Sequence, residues 1–422
     1  MSTSRPTVRV SAIPRPDAPS ALQAAQWAFA LETDPGEPID AHLDFLDLDR
    51  FHGGYVPGPD GTERLAGVYA TLSADCPLPG GTIVPSANLT WVGVHPRDRR
   101  RGVLTAMIRH HLDDVRTHRG EPFSILFSAE PAIYGRFGYG LASTIAFLKI
   151  PRGAALRDVA GADELVVDIE YADADHHAEP LARCFEASAA GRPGCTIRPT
   201  PGTRRYALYD PPLNRRGAET LRVLTVTAPG GDLRGYALFR RSRRHDPESP
   251  VTVEVTEAVA RDAAATHAIW SRLLDLDLSS HVLTPGLPPD DALLHLLVDA
   301  RAAHPRLSDG LWLRLADLPA ALTARRYATG VDVTLEVTDA LLPSNAGRWH
   351  LVGTTDGATC TRTDAEPQLS LDVRELGSAY LGGVSLAALA AAGLVTAHDP
   401  TALATASVAF SSPVAPWSAW SF

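Results

Sequence analysis

Residues 92–105, VGVHPRDRRRGVLT, decide the fold of this chain. They begin inside a β-rich run, residues 88–94, which Pro96 stops. Arginines and Gly102 follow, and apolar residues then recur at intervals of three and four up to Gly120. That helical face consists of Leu104, Ile108, Leu112 and Val115. The stretch therefore predicts a strand, a basic turn and an amphipathic helix over residues 102–119.

The basic turn is suited to bind a pyrophosphate. Backbone N–H groups at a helix N-terminus have no partner within the helix, and the helix dipole is positive there. Gly102 lets a ligand approach the backbone, and Arg100 and Arg101 add planar phosphate-binding groups. The alternative is an ordinary solvated basic turn before a surface helix.

Working outward, residues 123–128 and 144–150 predict two further strands, so the first segment contains a βαβ unit. The second segment has a similar order of elements, with three strands before a helix at 263–276 and one strand after it. This similarity suggests a degenerate duplication of the first segment. Those strands are 221–227, 235–239, 251–259 and 281–284. Strands at 331–337 and 369–373 with two Ala-rich helices predict a final α+β domain. Turn-rich stretches place the domains at 1–150, 151–305 and 306–422.

Composition limits the function classes. The chain has 422 residues and a formal net charge of −10, which argues against nucleic-acid binding and suits a cationic partner. Four separated cysteines and a polar N-terminus predict a cytoplasmic protein without disulfides. The apolar run 384–397 is too short for a membrane span and predicts a buried helix. No metal site is expected, because the pair His176–His177 lacks a further spaced ligand.

Two motifs carry a family resemblance. Residues 92–102 follow the pattern V-x-V-x-P-x-x-R-R-x-G, which resembles the acetyl-CoA motif of GNAT N-acetyltransferases; Leu104 stands where a small residue is usual. Residues 133–140, IYGRFGYG, resemble the signature of the Eis-like (enhanced intracellular survival) branch. The resemblance covers the whole chain. It implies an α+β / α/β fold with two GNAT-like domains, the second degenerate, and a sterol-carrier-protein-like domain.

The resemblance also implies a cofactor site for acetyl-CoA. The strand end would pair with the pantetheine arm, the turn and first helical residues would hold the pyrophosphate, and residues after the facing strand would complete the cleft. These positions are Val92, Gly93, Val94, Arg100, Arg101, Gly102, Val103, Leu104, Thr105, Ala129 and Glu130. The second GNAT-like domain has no such turn before residue 263, so one acetyl-CoA per chain is expected.

In the same family Tyr134 matches the general acid and the carboxylate of the last residue, Phe422, matches the general base. A phenol pKa of about 10 lies close to that of a leaving thiolate, about 8.5. An α-carboxyl, with a pKa of about 3.5, is a weak base unless burial raises its pKa or it acts after the amine has attacked. The alternatives are a packing role for Tyr134, with Tyr139 as a competing donor, and a purely structural tail.

The expected reaction is direct transfer of acetyl to a primary amine of a cationic small molecule of the aminoglycoside or polyamine type. Asp34, in an early helix–loop, is the candidate acceptor-binding residue. The family further implies a homohexamer. Two alternatives stay open: an acetyltransferase for protein lysines or N-termini, and a non-catalytic lipid-binding or scaffold protein.

Overall fold

The computed structural model describes residues 8–29, 39–58, 61–243 and 250–422. The chain forms two compact units. The first comprises residues 1–142, 311–412 and Phe422, and the second comprises residues 143–310 and 413–421. The chain thus leaves the first unit after residue 142 and returns after 310, whereas the sequence pattern predicts domain limits at 150 and 305.

Elements are numbered along the whole chain. The strands of the first unit are β1 (Arg9–Ala12), β2 (Phe51–Pro57), β3 (Glu63–Pro77), β4 (Ile83–Val94), β5 (Phe123–Phe127), β6 (Gly140–Leu141), β15 (Leu311–Leu315), β16 (Val331–Thr338), β17 (Gly347–Gly353), β18 (Ala358–Arg362), β19 (Leu369–Asp372) and β20 (Val395–Ala397). Its helices are α1 (Ala18–Ala28), α2 (Asp40–Phe45), α3 (Val103–Asp114), α4 (Pro131–Tyr134), α9 (Leu318–Ala324), α10 (Val373–Tyr380), α11 (Leu386–Ala391) and α12 (Pro400–Ala409).

The first sheet has the strand order β1-β2-β3-β4-β5-β15-β6. Its β4 and β5 are parallel and are connected by α3, so the predicted βαβ unit is present. The helix is shorter than predicted: α3 ends at Asp114, and Val115–Arg119 continue as a π-helical turn. Gly120, in the left-handed conformation, ends this segment as expected for a C′ glycine.

Strand β15 belongs to this sheet, which the sequence pattern does not predict. It pairs antiparallel with both β5 and β6, and Leu311, Leu313 and Leu315 are fully buried. Arg314 is tolerated in the same strand because one of its amino groups lies 2.7 Å from each carboxylate oxygen of the equally buried Asp339. A buried charge is strongly destabilising unless it is paired in this way.

The remaining strands of the first unit form a sheet in the order β18-β17-β16-β19-β20, packed with α9–α12 around one apolar core. The run 384–397 is not one helix. Gly393 adopts φ +75° between α11 and β20, so the chain turns and Val395–Ala397 pairs with β19 instead. No helix in the described ranges is long and apolar enough to span a membrane.

The second unit repeats the βαβ theme. Its strands are β7 (Thr144–Phe147), β8 (Lys149–Pro151), β9 (Val166–Tyr171), β10 (Arg222–Thr227), β11 (Leu233–Ser242), β12 (Val251–Ala260), β13 (Ser279–Leu283) and β14 (Arg306–Asp309). Its helices are α5 (Ala174–Ala189), α6 (Pro201–Tyr206), α7 (Ala263–Leu274) and α8 (Ala292–Leu296). The main sheet runs β8-β13-β12-β11-β10-β9, and parallel β12 and β13 flank α7 as β4 and β5 flank α3.

Candidate active site

A cleft of about 580 Å³ opens in the first unit at the N-terminus of α3. It brings together the end of β4, the basic turn, the first turn of α3 and the segment around α4. Its lining residues are Ala28, Val92, Gly93, Val94, Pro96, Asp98, Arg99, Arg100, Gly102, Val103, Leu104, Thr105, Glu130, Ile133, Tyr134 and Arg136. Most positions expected to contact the cofactor are therefore neighbours in space; Arg101 and Ala129 are not among the lining residues.

The N-terminus of α3 carries no side-chain cap. Gly102 is the N-cap residue with φ +87°, and Arg100 is also left-handed with φ +63°. A side chain in this conformation is disfavoured by about 1–2 kcal/mol, so the turn is strained at Arg100. Neither Arg99 nor Arg100 forms an ion pair with any described residue. The helix end therefore offers unpaired N–H groups and two unneutralised guanidinium groups to an anion.

Asp98 stabilises the basic turn by pairing with two arginines. Its side chain is fully buried and accepts hydrogen bonds from Arg64 and, at 2.8 Å, from Arg101 Nη1. These guanidinium groups, Arg64 first, hold the pKa of Asp98 below its usual value despite burial. Arg101 thus stabilises the turn through Asp98, which explains why it does not line the cleft.

The end of β4 diverges from β5. The parallel ladder consists of Ala87 opposite Ser124 and Asn88 opposite Ile125, so residues 92–94 lie beyond it. Trp91, with φ +51°, lies where the pairing with β3 also shifts register. This bend carries Val92–Val94 into the cleft lining, with their backbone edge available to an extended ligand.

Tyr134 is the titratable hydroxyl of the cleft. Burial, with a smaller contribution from Glu130, raises its pKa to about 12, so the phenol stays protonated at neutral pH. A pKa of about 12 is farther from the pKa of a thiol than the pKa of a free phenol is. Tyr134 therefore holds its proton more tightly than the sequence predicts. The Tyr139 ring packs edge-on at 5.8 Å from that of Tyr134. Tyr139 itself is fully buried, and its hydroxyl lies 2.9 Å from Ser124 Oγ, which makes it a core residue.

Glycines of the 133–140 motif permit close packing against the C-terminal part of the first unit. A Cβ at Gly140 would lie 1.9 Å from the carbonyl oxygen of Arg374, and one at Gly138 would lie 2.8 Å from Arg314 Nε. Gly138 also has φ +82°. The motif therefore fixes the segment after Tyr134 against β15 and α10.

Phe422 belongs to the first unit, as do Tyr134 and the cleft. Its ring packs edge-on against Phe127 at the end of β5, with ring centroids 5.4 Å apart. Phe422 is half-buried. The preceding segment, residues 413–421, belongs to the second unit.

Aromatic side chains border the cleft beside Ala28. Trp27 is 70% exposed and lies 6.0 Å from the His95 ring, and Phe29 packs edge-on against Trp91 at 6.3 Å. Exposed aromatic faces attract ammonium groups. Asp34, the predicted acceptor ligand, lies outside the described residues.

Sequence reasoning missed the contribution of Arg136 and Ile133 to the cleft. Arg136 lies in a 3₁₀ turn directly after α4 and is exposed, with its guanidinium 4.8 Å from the Phe137 ring centre. Its charge was visible in the sequence, but only the turn geometry places it at the cleft.

The corresponding helix of the second unit has a different N-terminus. Asp262 caps α7 and accepts a hydrogen bond from the Ala265 N–H. Burial opposes ionisation of Asp262, yet bonds from Ala265 and Arg234 hold its pKa below the usual value. A carboxylate thus occupies the position at which Gly102 leaves α3 open.

Within the described residues, the one group with potential metal ligands is Glu170, His176 and His177, also in this unit.

Comparison with known proteins agrees with this architecture. Residues 9–142 and 194–315 each match an acetyltransferase (GNAT) domain, and residues 318–419 match a sterol carrier protein domain. The chain is 40% identical to an uncharacterised N-acetyltransferase of Streptomyces coelicolor, covering 94% of this chain and 98% of the relative. It is 34% identical to the N-acetyltransferase Eis of Mycobacterium tuberculosis over 87% of this chain and 88% of Eis.

Among solved structures, Eis1 from Mycobacterium abscessus superimposes with a TM-score of 0.81 at 33% identity, covering 99% of this chain and all of Eis1. Matches of this extent include both GNAT domains and the C-terminal domain, so a non-catalytic scaffold is set aside. The chain belongs to the Eis-like GNAT N-acetyltransferases.

Proposed function

We propose that this enzyme transfers acetyl from acetyl-CoA to a primary amine of a cationic small molecule of the aminoglycoside or polyamine type. The observation that carries the proposal is one cleft that combines an uncapped helix N-terminus with a protonated tyrosine, Tyr134, and a carboxylate, Glu130. The exposed rings of Trp27 and Phe29 beside the cleft favour a cationic acceptor.

Acetyl-CoA, when bound, supplies the acetyl group as a thioester. The residues present fit it: Val92–Val94 offer a backbone edge for the pantetheine arm, and Gly102–Thr105 offer N–H groups for the pyrophosphate. Arg100 adds a guanidinium to the phosphates, and Arg99, also in the cleft lining, adds a second. Arg101 supports this site through Asp98. Ala129 directly precedes Glu130 but does not line the cleft, so its contact with the cofactor stays a prediction.

Tyr134 holds the proton needed by the departing thiolate. A pKa of about 12 keeps the phenol protonated until the thiolate's developing charge draws the proton across. The acceptor amine is expected to attack directly, because no cysteine is among the described cleft residues and the four free cysteines are buried.

The carboxylate of Phe422 is the proposed proton acceptor for the amine. Its residue shares a unit with Tyr134, and its ring is fixed on Phe127. A carboxylate is a weak base toward a free ammonium group, so it acts effectively only once attack has made the nitrogen acidic or burial has raised the pKa of the carboxyl.

The test is acetyl-CoA consumption across aminoglycosides, polyamines, lysine peptides and peptides with free N-termini. Turnover with the cationic small molecules at a kcat/KM at least tenfold above that of the peptides supports the proposal. Preference for the peptides instead identifies a protein acetyltransferase. No turnover with any of them refutes the amine assignment.

Further features are also proposed, of which the homohexamer rests on the family resemblance. The enzyme is expected to act as a homohexamer in the cytoplasm, without a metal or nucleic-acid partner. One acetyl-CoA is expected per chain, because the carboxylate of Asp262 repels a pyrophosphate from the N-terminus of α7. Asp34 is the proposed acceptor ligand.

A further inference from the structure

Three potential metal ligands of the second unit meet between the edge strand β9 and the first turn of α5. Glu170 lies near the end of β9, and His176 and His177 lie in α5, which begins three residues after β9 ends. The ligand atoms of these three side chains lie within 4.8 Å of one another. The histidine pair has no third ligand close to it in the sequence pattern, and the packing of the strand against the helix supplies one. These three residues are called the Glu170 cluster.

His177 is the buried member of the cluster. The residue is only 5% exposed, and its Nε2 atom has no hydrogen-bond partner among the described residues. Glu170 Oε1 lies 3.9 Å from this nitrogen, which is too far for a hydrogen bond. A buried polar atom without a partner is destabilising. A cation bound between Nε2 and the carboxylate removes that cost.

The backbone of Asp173 holds the His177 ring through its other nitrogen. Nδ1 lies 3.0 Å from the Asp173 carbonyl oxygen and 3.1 Å from the Asp173 backbone nitrogen, so the ring has a partner in either neutral tautomer. When Nδ1 carries the proton and donates to the carbonyl, Nε2 presents a lone pair toward Glu170. A metal-binding histidine typically has this arrangement, in which the second ring nitrogen donates to a backbone carbonyl, a carboxylate or water.

The other two ligands are free to adjust. His176 is exposed, and its ring packs edge-on against that of His177 with centroids 4.7 Å apart. The side chain of Glu170 is 49% exposed and pairs with no arginine or lysine of the described residues. A tetrahedral ion with bonds of about 2.1 Å holds its ligand atoms about 3.4 Å apart. Rotation of these two exposed side chains therefore suffices to bring the cluster to that spacing.

The charges around the cluster suit a cation. A helix N-terminus by itself disfavours a positive ion. The first turn of α5 offsets this effect with two carboxylates, those of Asp173 and Asp175. Arg205 pairs with Asp175 at 2.6 Å, so this arginine is held away from Glu170 by its own partner.

We propose that the Glu170 cluster binds a divalent transition-metal ion, with Zn²⁺ as the best match. Two imidazoles and one carboxylate are ligands that Zn²⁺ takes in three-ligand sites, where water fills the fourth position. Mg²⁺ and Ca²⁺ prefer oxygen ligands. The ion links β9 to α5 and so stabilises the second unit. The acetyl transfer proposed above uses no metal, and the cluster is a separate site whose existence does not depend on that function.

The test is Zn²⁺ binding by the full-length enzyme, purified without a histidine tag and treated with a chelator. Equilibrium dialysis followed by metal analysis gives the stoichiometry, and competition with a chromogenic chelator gives the Kd. The cluster variants are Glu170→Gln, His176→Gln and His177→Gln.

His295→Gln is the matched control, because this exposed histidine lies in α8 of the same unit and outside the cluster. Glu170 and His176 are exposed as well, so their variants decide the question should the buried His177→Gln fold poorly.

The wild type and His295→Gln should bind Zn²⁺ with the same Kd, and excess Mg²⁺ or Ca²⁺ should not displace it. Each cluster variant should raise that Kd about tenfold or more, since loss of a residue that merely supports a ligand already costs about 10–100-fold. Cluster variants that bind Zn²⁺ as tightly as the wild type overturn the proposal. So does a wild-type enzyme that binds no Zn²⁺, or one from which Mg²⁺ or Ca²⁺ displaces it.

Discussion

Replacing Arg100 by glycine should move stability and cofactor affinity in opposite directions. Arg100 is left-handed, with φ +63°, and forms no ion pair with a described residue. Glycine removes a conformational cost of about 1–2 kcal/mol. It adds about 0.5–1 kcal/mol of unfolded-state entropy, so the free energy of unfolding should be unchanged or rise by about 1 kcal/mol.

Acetyl-CoA affinity should fall in the same variant. A hydrogen bond to a charged group contributes about 1.5–3 kcal/mol, which corresponds to a rise in Kd of roughly 10–100-fold. At 100 times the wild-type Kd, the cofactor stabilises the wild type by about 2.7 kcal/mol. The same concentration should stabilise Arg100→Gly by only about 0.4–1.4 kcal/mol.

Thermal unfolding with and without acetyl-CoA, together with calorimetric titration, measures both quantities. Arg97→Gln is the matched control, because this exposed arginine lies in the same turn, contacts Asp98 at 3.4 Å and does not line the cleft. Its Kd should equal that of the wild type. An Arg100→Gly variant that binds acetyl-CoA as tightly as the wild type would refute the pyrophosphate site.

Three other outcomes are expected. Tyr134→Phe should lower kcat by about 10²–10⁴-fold with acetyl-CoA Kd nearly unchanged, as single-turnover and binding assays will show; wild-type turnover would require another acid. A short peptide appended after Phe422 should abolish activity without lowering the melting temperature, and an active tagged enzyme would remove the carboxylate from the mechanism. Burial holds the pKa of His111 well below 6.5 in the folded protein, so the unfolded state binds its proton first as pH falls. Stability should therefore decline below about pH 6.5, by up to about 1.4 kcal/mol per pH unit from this group, and His111→Gln should flatten that slope in chemical denaturation.

Local signals made the strand, the basic turn and the helix that border the cleft predictable. The strand end, the basic turn and the helical periodicity of residues 92–119 all lie within one short stretch, and no distant partner is needed to form it. The buried ion pair of Arg314 and Asp339, in contrast, could not be predicted from local sequence. An arginine within LWLRL has no visible partner in the sequence, and the partners of β15, the strands β5 and β6, lie far away along the chain.

Helix α5 was missed for a related reason. Its buried residues Ala178, Leu181 and Phe185 recur at helical spacing, but Pro180 lies inside the helix and polar residues fill its first turn, which obscures the signal. Its start depends on Asp173, whose side chain accepts the N–H groups of Asp175 and His176. The attachment of Ala415 to Arg192 and Asp290 was equally inaccessible, because two loops distant in sequence must meet before the ion pair exists.

The most direct test of the account is a crystal structure of the enzyme with coenzyme A. We expect the pyrophosphate oxygens within hydrogen-bond distance of the N–H groups of Gly102–Leu104 and of the Arg100 guanidinium, at one site per chain. Coenzyme A bound at the N-terminus of α7, or phosphates distant from α3 altogether, would contradict it.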